Sequence, residues 1–184
     1  MKKIMLMAAL MLASTGAFAQ HAVGSLTLQP KIGLNIANLS GDNADGDARC
    51  GLAVGAELEY QISDMFSIAG AALYSMQGTK GDNSTMKVDY INIPVVVNAY
   101  LFQNFAVKLG CQLGINVNSE FKVSNYTADV DAKSIDFSIP IGVSYEYQNF
   151  VLDARYNWGL TDVFENVDAK NSVFQITLGY KFDL

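Results

Sequence analysis

Phe174-Gln175-Ile176-Thr177-Leu178-Gly179-Tyr180-Lys181-Phe182-Asp183-Leu184 is the stretch whose reading decides the fold. Every even position is apolar, and every odd position is polar, charged or glycine. Successive side chains of a β-strand point to opposite faces, so strict period-two alternation reads as a strand with one apolar and one polar face. Residues 52–62, 105–117, 135–147 and 150–160 repeat the pattern, and the apolar face of these five segments holds 32 positions without one polar residue. Three weaker segments at 26–38, 66–76 and 88–101 complete a set of eight.

The connections alternate in length. Those around 39–50, 77–87, 119–133 and 161–172 are long, polar and rich in Gly, Asp and Asn, whereas Ser63–Met65, Gln103–Asn104 and Gln148–Asn149 are two or three residues long. An antiparallel up-and-down meander with tight turns at one end and long loops at the other is the anatomy of a transmembrane β-barrel, and eight strands is its smallest usual closure. The predicted fold is therefore all-β: an eight-stranded barrel with four long extracellular loops and short periplasmic turns.

Two orientations of the alternation compete. A soluble carrier barrel of lipocalin type would point the apolar face inward around a ligand and expose the polar face to water. That exterior should be crowded with Lys and Glu, but here the polar face is largely Gly, Ala, Ser, Asn and Gln, which suits a narrow lumen. Strands of ten to thirteen residues also match the length needed to cross a bilayer at a tilt. The apolar face carries two groups of aromatics, as expected where headgroups meet hydrocarbon. Tyr60, Phe66, Phe105, Tyr145, Tyr147, Phe150, Tyr180 and Phe182 lie toward the short turns, and Tyr74, Phe137, Tyr156, Trp158 and Phe174 toward the long loops.

Composition agrees. The 184 residues are 51% hydrophobic and only 16% charged, where a soluble domain carries nearer 25% charge. Lys2 and Lys3, the apolar run Ile4 to Leu12 and Ala17-Phe18-Ala19 read as a secretory signal peptide over 1–19, leaving one barrel domain over 20–184. No later stretch of 18 apolar residues offers a membrane helix. The net charge of −6, with no Lys/Arg cluster, argues against a nucleic-acid partner. Cys50 and Cys111 are too few for a disulfide scaffold and lack metal-ligand spacing.

Lys31-Ile-Gly-Leu-Asn-Ile-Ala-Asn-Leu-Ser-Gly-Asp42, the stretch Glu59 to Ser67, Leu73 to Gly81 and Tyr90-Ile91-Asn92-Ile93-Pro94 carry a further signal. Across essentially the whole mature chain these runs resemble the small outer-membrane β-barrel domain family often labelled PorT-type. The resemblance implies an outer-membrane, porin-like barrel from a functionally broad family. Where that family commonly has Glu before the Ile-Pro and in the third strand, this sequence has Asn92 and Ala71.

For chemistry, the polar face places Lys31, Glu57, Glu59, Lys108, Asp136, Glu146, Asp153, Arg155 and Lys181 in the lumen, where opposite charges should pair into a plug-like network because an unpaired buried charge costs several kcal/mol. A narrow solute pathway is the alternative use. His21, the only histidine, precedes the first strand, which removes Ser-His hydrolase chemistry. Asp42, Asp45 and Asp47 faintly resemble a calcium loop, but without the closing Glu they read as a solvated acidic loop. Pro94 and Pro140, inside strands on the lumen face, are expected to produce bulges or lumenal water. Tyr126 and Phe164 are candidate loop anchors. The sequence thus predicts a non-enzymatic, monomeric outer-membrane barrel with structural or surface-interaction function and neither metal nor cofactor. Its expected partners are membrane lipid, periplasmic chaperones and the barrel-assembly machinery during biogenesis, and an extracellular ligand met by the loops. A small channel, or an accessory barrel of a secretion or envelope-assembly system, is the second reading.

Overall fold

The structure, a computed structural model, describes residues 22–40, 47–81, 84–123, 126–129, 133–163 and 169–184. They form β1 (Leu26–Ser40), β2 (Asp47–Gln61), β3 (Phe66–Lys80), β4 (Ser84–Phe102), β5 (Phe105–Val123), β6 (Tyr126–Asp129), β7 (Ile135–Tyr147), β8 (Phe150–Asp162), β9 (Lys170–Tyr180) and β10 (Phe182–Asp183), with no helix among them. Eight strands make the wall, each antiparallel to the next, and β1 closes the circle by pairing with β9 and β10. The short β6 pairs only with the top of β5, and β10 continues β9 past a break at Lys181. The signal-peptide reading, His21, Asp42, Asp45 and Phe164 lie outside the described residues, as does the side chain of Tyr126.

Register sets the shape. Paired positions lead from Leu26 through Tyr60, Ile68, Val97, Leu109, Ile141, Tyr156 and Phe174 back to β1 at Ile36, ten residues above the start. A stagger of that size on eight strands tilts them roughly 40° and leaves an interior only wide enough for side chains.

All nine residues on that path are apolar, and they face outward. Ordinary burial is inverted: Leu34 is 61% exposed, Leu109 56% and Trp158 57%, while Asn35 and Asp153 are 0% exposed. The lumen holds the polar face. Glycine makes room for it: a side chain on Gly142 would come within 2.7 Å of the Arg155 Cβ, and one on Gly179 within 2.2 Å of the Gln29 amide nitrogen. Both cysteines are free and exposed on the outer wall.

Two expectations are corrected. The segments 77–87 and 119–133 are in part strand, because β4 and β5 run on for 19 residues each and stay paired above the apolar band. A backbone ladder needs no apolar face, so the sequence pattern fades while the hydrogen bonds continue. Nor do Pro94 and Pro140 cause bulges. Pairing is interrupted beside them, but the register is the same on either side, from Gly70↔Val95 to Leu73↔Asn92 and from Leu109↔Ile141 to Gln112↔Ser138. Each proline removes one donor toward one neighbour only. By register, small residues stand opposite: Ala71 faces Pro94, and Gly110 faces Pro140. The irregularities lie elsewhere, near strand ends, at Ala48/Ala53, Asp89/Tyr90, Tyr100/Phe102 and Trp158/Asp162.

If the apolar wall lies in hydrocarbon, Leu109→Lys at mid-wall should lower folding stability in lipid vesicles by about 2–4 kcal/mol, and Val117→Lys near the upper edge by only about 0–1 kcal/mol. Urea titration of the reconstituted protein measures both. Equal, negligible costs would contradict a membrane-facing wall.

Candidate functional site

Alternation forces the charged residues of the wall strands to point inward, and the narrow barrel forces them together. Glu57 on β2 and Asp153 on β8 each contact the same three cations. Lys31 Nζ lies 2.7 Å from Glu57 and 3.4 Å from Asp153, Lys108 Nζ 3.3 Å and 2.6 Å, and Arg155 Nη2 3.4 Å and 2.7 Å. Arg155 also donates from Nε to the second Asp153 oxygen at 2.8 Å, a bidentate grip. These contacts tie β1, β2, β5 and β8 across the lumen.

A smaller cluster lies toward the short turns. Lys181 Nζ bridges Glu59 at 2.9 Å and Glu146 at 2.8 Å. Asn98 donates to Glu59 at 2.9 Å, the hydroxyls of Ser67 and Tyr100 donate to the same oxygen, and Lys181 donates to the Tyr100 oxygen at 3.4 Å. Ser67, Asn98 and Tyr100 were not singled out by the sequence reading. Their signal was present, because all three sit on the inward parity of their strands.

Asp136 stands apart from both clusters. It is buried and accepts from the Thr161 hydroxyl at 2.9 Å, with no ion pair among the described residues. The remaining eight charges of the predicted network are in contact. Lys31 lies opposite Gly55 and reaches Glu57, while Glu59 and Glu146 both meet Lys181.

Above the ion clusters the lumen is lined by amides. Asn35 donates to Ser75 at 2.9 Å and accepts from Gln175 at 2.8 Å, whereas both amide atoms of Asn157 lack a protein partner. Buried polar groups of that kind are satisfied by ordered water. At the loop end Leu39, Val88, Tyr90 and Val163 pack together with Met86 against them, an apolar cap above the polar clusters. Beside it Arg49 pairs with Asp89 at 3.7 Å, donates to the Gln77 carbonyl, and shares Asp89 with the Tyr74 hydroxyl at 3.1 Å. The lumen thus carries interlocked charge below, amides in the middle, and an apolar cluster beside the Arg49–Asp89 pair on top.

This inverted, closed barrel is the architecture of outer-membrane proteins, and residues 18–165 match the family model described as the outer membrane protein beta-barrel domain. The chain belongs to that family. Its place is the outer membrane, and the match does not extend to the narrower label PorT-type. Among solved structures, Ail, the attachment invasion locus protein of Yersinia pestis, is similar with a TM-score of 0.58 at 16% identity, over 86% of this chain and 99% of that one. Neisserial surface protein A is similar with a TM-score of 0.58 at 17% identity, over 85% of this chain and 97% of that one. Ail in complex with the heparin analogue sucrose octasulfate gives 0.54 at 14% identity, over 86% and 99%. At these identities the likeness is one of fold. No curated protein matches the sequence.

Aromatics face outward at both ends of this outer-membrane barrel, while Tyr90 and Tyr100 turn into the lumen. Tyr60, Phe66, Tyr147, Phe150, Tyr180 and Phe182 are exposed beside the short turns, Phe105 and Tyr145 are half-buried there, and Trp158 is exposed toward the loop end.

Asp153→Asn should destabilise the barrel by about 3–5 kcal/mol, because it leaves three buried cations sharing the single charge of Glu57. Adding Lys108→Met should recover part of that loss, giving a coupling of at least about 1 kcal/mol in a double-mutant cycle. Denaturant unfolding in micelles reads both values, and strict additivity would show that the pair does not interact.

Proposed function

We propose that this outer-membrane barrel is non-enzymatic, that its lumen is a structural filling, and that it acts at the cell surface through its long loops. The observation that carries this reading is the cluster in which Glu57 and Asp153 each contact Lys31, Lys108 and Arg155, all buried. A lumen crossed by such contacts offers neither a free nucleophile nor a polar path, since passage would require separating buried ion pairs. The apolar cap at the loop end supports the same conclusion. A small-channel reading draws support only from the unpartnered amides at mid-lumen, which lie between these two obstructions.

What remains variable is the loop end. Surface-exposed loops on a rigid scaffold are the usual carriers of binding, and the similar folds of Ail, an attachment invasion locus protein, and of Neisserial surface protein A belong by name to attachment and to the cell surface. The loop segments of this chain hold Asp42, Asp45, Asp47, Asp82, Glu120, Asp129, Asp131, Asp162, Glu165 and Asp168 against Arg49, Lys80, Lys87, Lys122, Lys133 and Lys170. Carboxylates outnumber cations, so a polyanion of the heparin class, which the Ail complex contains, is disfavoured here. A partner presenting basic or neutral hydrogen-bonding groups fits better.

Purified protein in planar bilayers should therefore show no stable openings, protease added to intact cells should cut only within the long loops, and immobilised heparin should not retain the protein. Stable channels of porin size would sink the filled-lumen reading. Cleavage at the short turns in intact cells would reverse the orientation.

A further inference from the structure

The lipid-facing wall is not smooth. Where β9, β1 and β2 meet, a groove of about 390 Å³ is lined by Pro30, Ile32, Val54, Leu178, Phe150 and Tyr180, together with backbone at Lys31, Gly55 and Gly179. From this groove we infer a lipid site: it holds one phospholipid acyl chain as a resident ligand, from the leaflet on the short-turn side.

Its origin is local. Pro30 pairs with Ala56, so two short outward side chains stand side by side beneath the longer pair Ile32 and Val54. Pro30 also lacks the N–H that would bond toward β9. The closing ladder is paired at Lys31↔Gly179 and at Leu28↔Phe182, with nothing between. By register the residue facing Pro30 across this gap is Tyr180. Tyr180 is fixed from two sides, edge-on to Phe150 at 5.1 Å and 84°, and tilted against Phe182 at 4.8 Å. The result is a concavity with a stiff aromatic wall.

The occupant follows from position and chemistry. The groove opens on the apolar band, which in the outer membrane is covered by hydrocarbon, and its side chains offer water no partner apart from the tyrosine hydroxyl. A polar solute is excluded, and an extended methylene chain fits. In a bilayer the preference comes from dispersion contact with a wall that does not move, rather than from escape from water. Phe150, Tyr180 and Phe182 belong to the aromatic belt beside the short turns, so the chain enters from the headgroups at that end. With the orientation proposed above this is the periplasmic leaflet, which makes the ligand a phospholipid.

Native mass spectrometry of the full chain, extracted from outer membranes in mild detergent and stripped of loosely held lipid, tests the site. Wild-type protein should retain one phospholipid. Val54→Trp and Leu178→Trp, which fill the groove from the lipid side, should lose that bound species, while Ile141→Trp on another part of the wall should keep it. Heat-modifiable gel migration confirms that each variant is folded, and if either groove variant fails this check, Ile32→Trp takes its place. Wild-type protein without bound lipid, or equal retention by groove and control variants, would overturn the site. Retention of lipopolysaccharide in place of phospholipid would also overturn the inference, whereas the intact-cell proteolysis judges the orientation independently.

Discussion

Inside the hydrocarbon of a bilayer an unpaired backbone N–H or C=O costs several kcal/mol, and no water is at hand to relieve it. Everything else in this molecule answers to that constraint. Eight antiparallel strands bond to their neighbours, and the pairing of β1 with β9 and β10 removes the last free edge. Side-chain alternation then has only one stable sense, with hydrocarbon outward and polarity inward.

Closure on eight strands makes the lumen narrow, and narrowness decides what its charges do. In a wider barrel Lys31, Lys108 and Arg155 could each remain hydrated. Here all three contact both Glu57 and Asp153, so each charge is stabilised only by the presence of the others. Such a filling contributes cross-lumen ties that the backbone ladder, which runs around the wall, cannot supply. It also lies between the short-turn end of the lumen and the amide-lined middle, and Leu39, Val88, Tyr90 and Val163 pack together at the other end.

The three prolines show how much local violation the ladder tolerates. Each removes one donor, and none shifts the register. Pro94 and Pro140 turn inward opposite small residues, where the loss is absorbed in the lumen. Pro30 turns outward at the closing seam, and there the missing bond coincides with a dent in the membrane-facing surface.

Much of this was legible in the amino-acid order. Period-two patterning from Phe174 to Leu184 and in its four companions determines the strands, the small residues on the polar face determine which side meets lipid, and the alternating connection lengths determine the meander. These are local properties, and backbone geometry alone converts them into structure. The tops of β4 and β5 escaped notice, because above the membrane hydrogen bonding persists without hydrophobic patterning. Pairing partners were not legible either: Lys31 and Asp153 are 122 residues apart, and whether they touch depends on the ten-residue stagger accumulated around the barrel. The same holds for the isolation of Asp136, the recruitment of Tyr100 to Glu59, and the meeting of Pro30 with Tyr180. Sequence by itself determined which residues face inward; only closure of the barrel, which fixes register and width together, decided which of them meet.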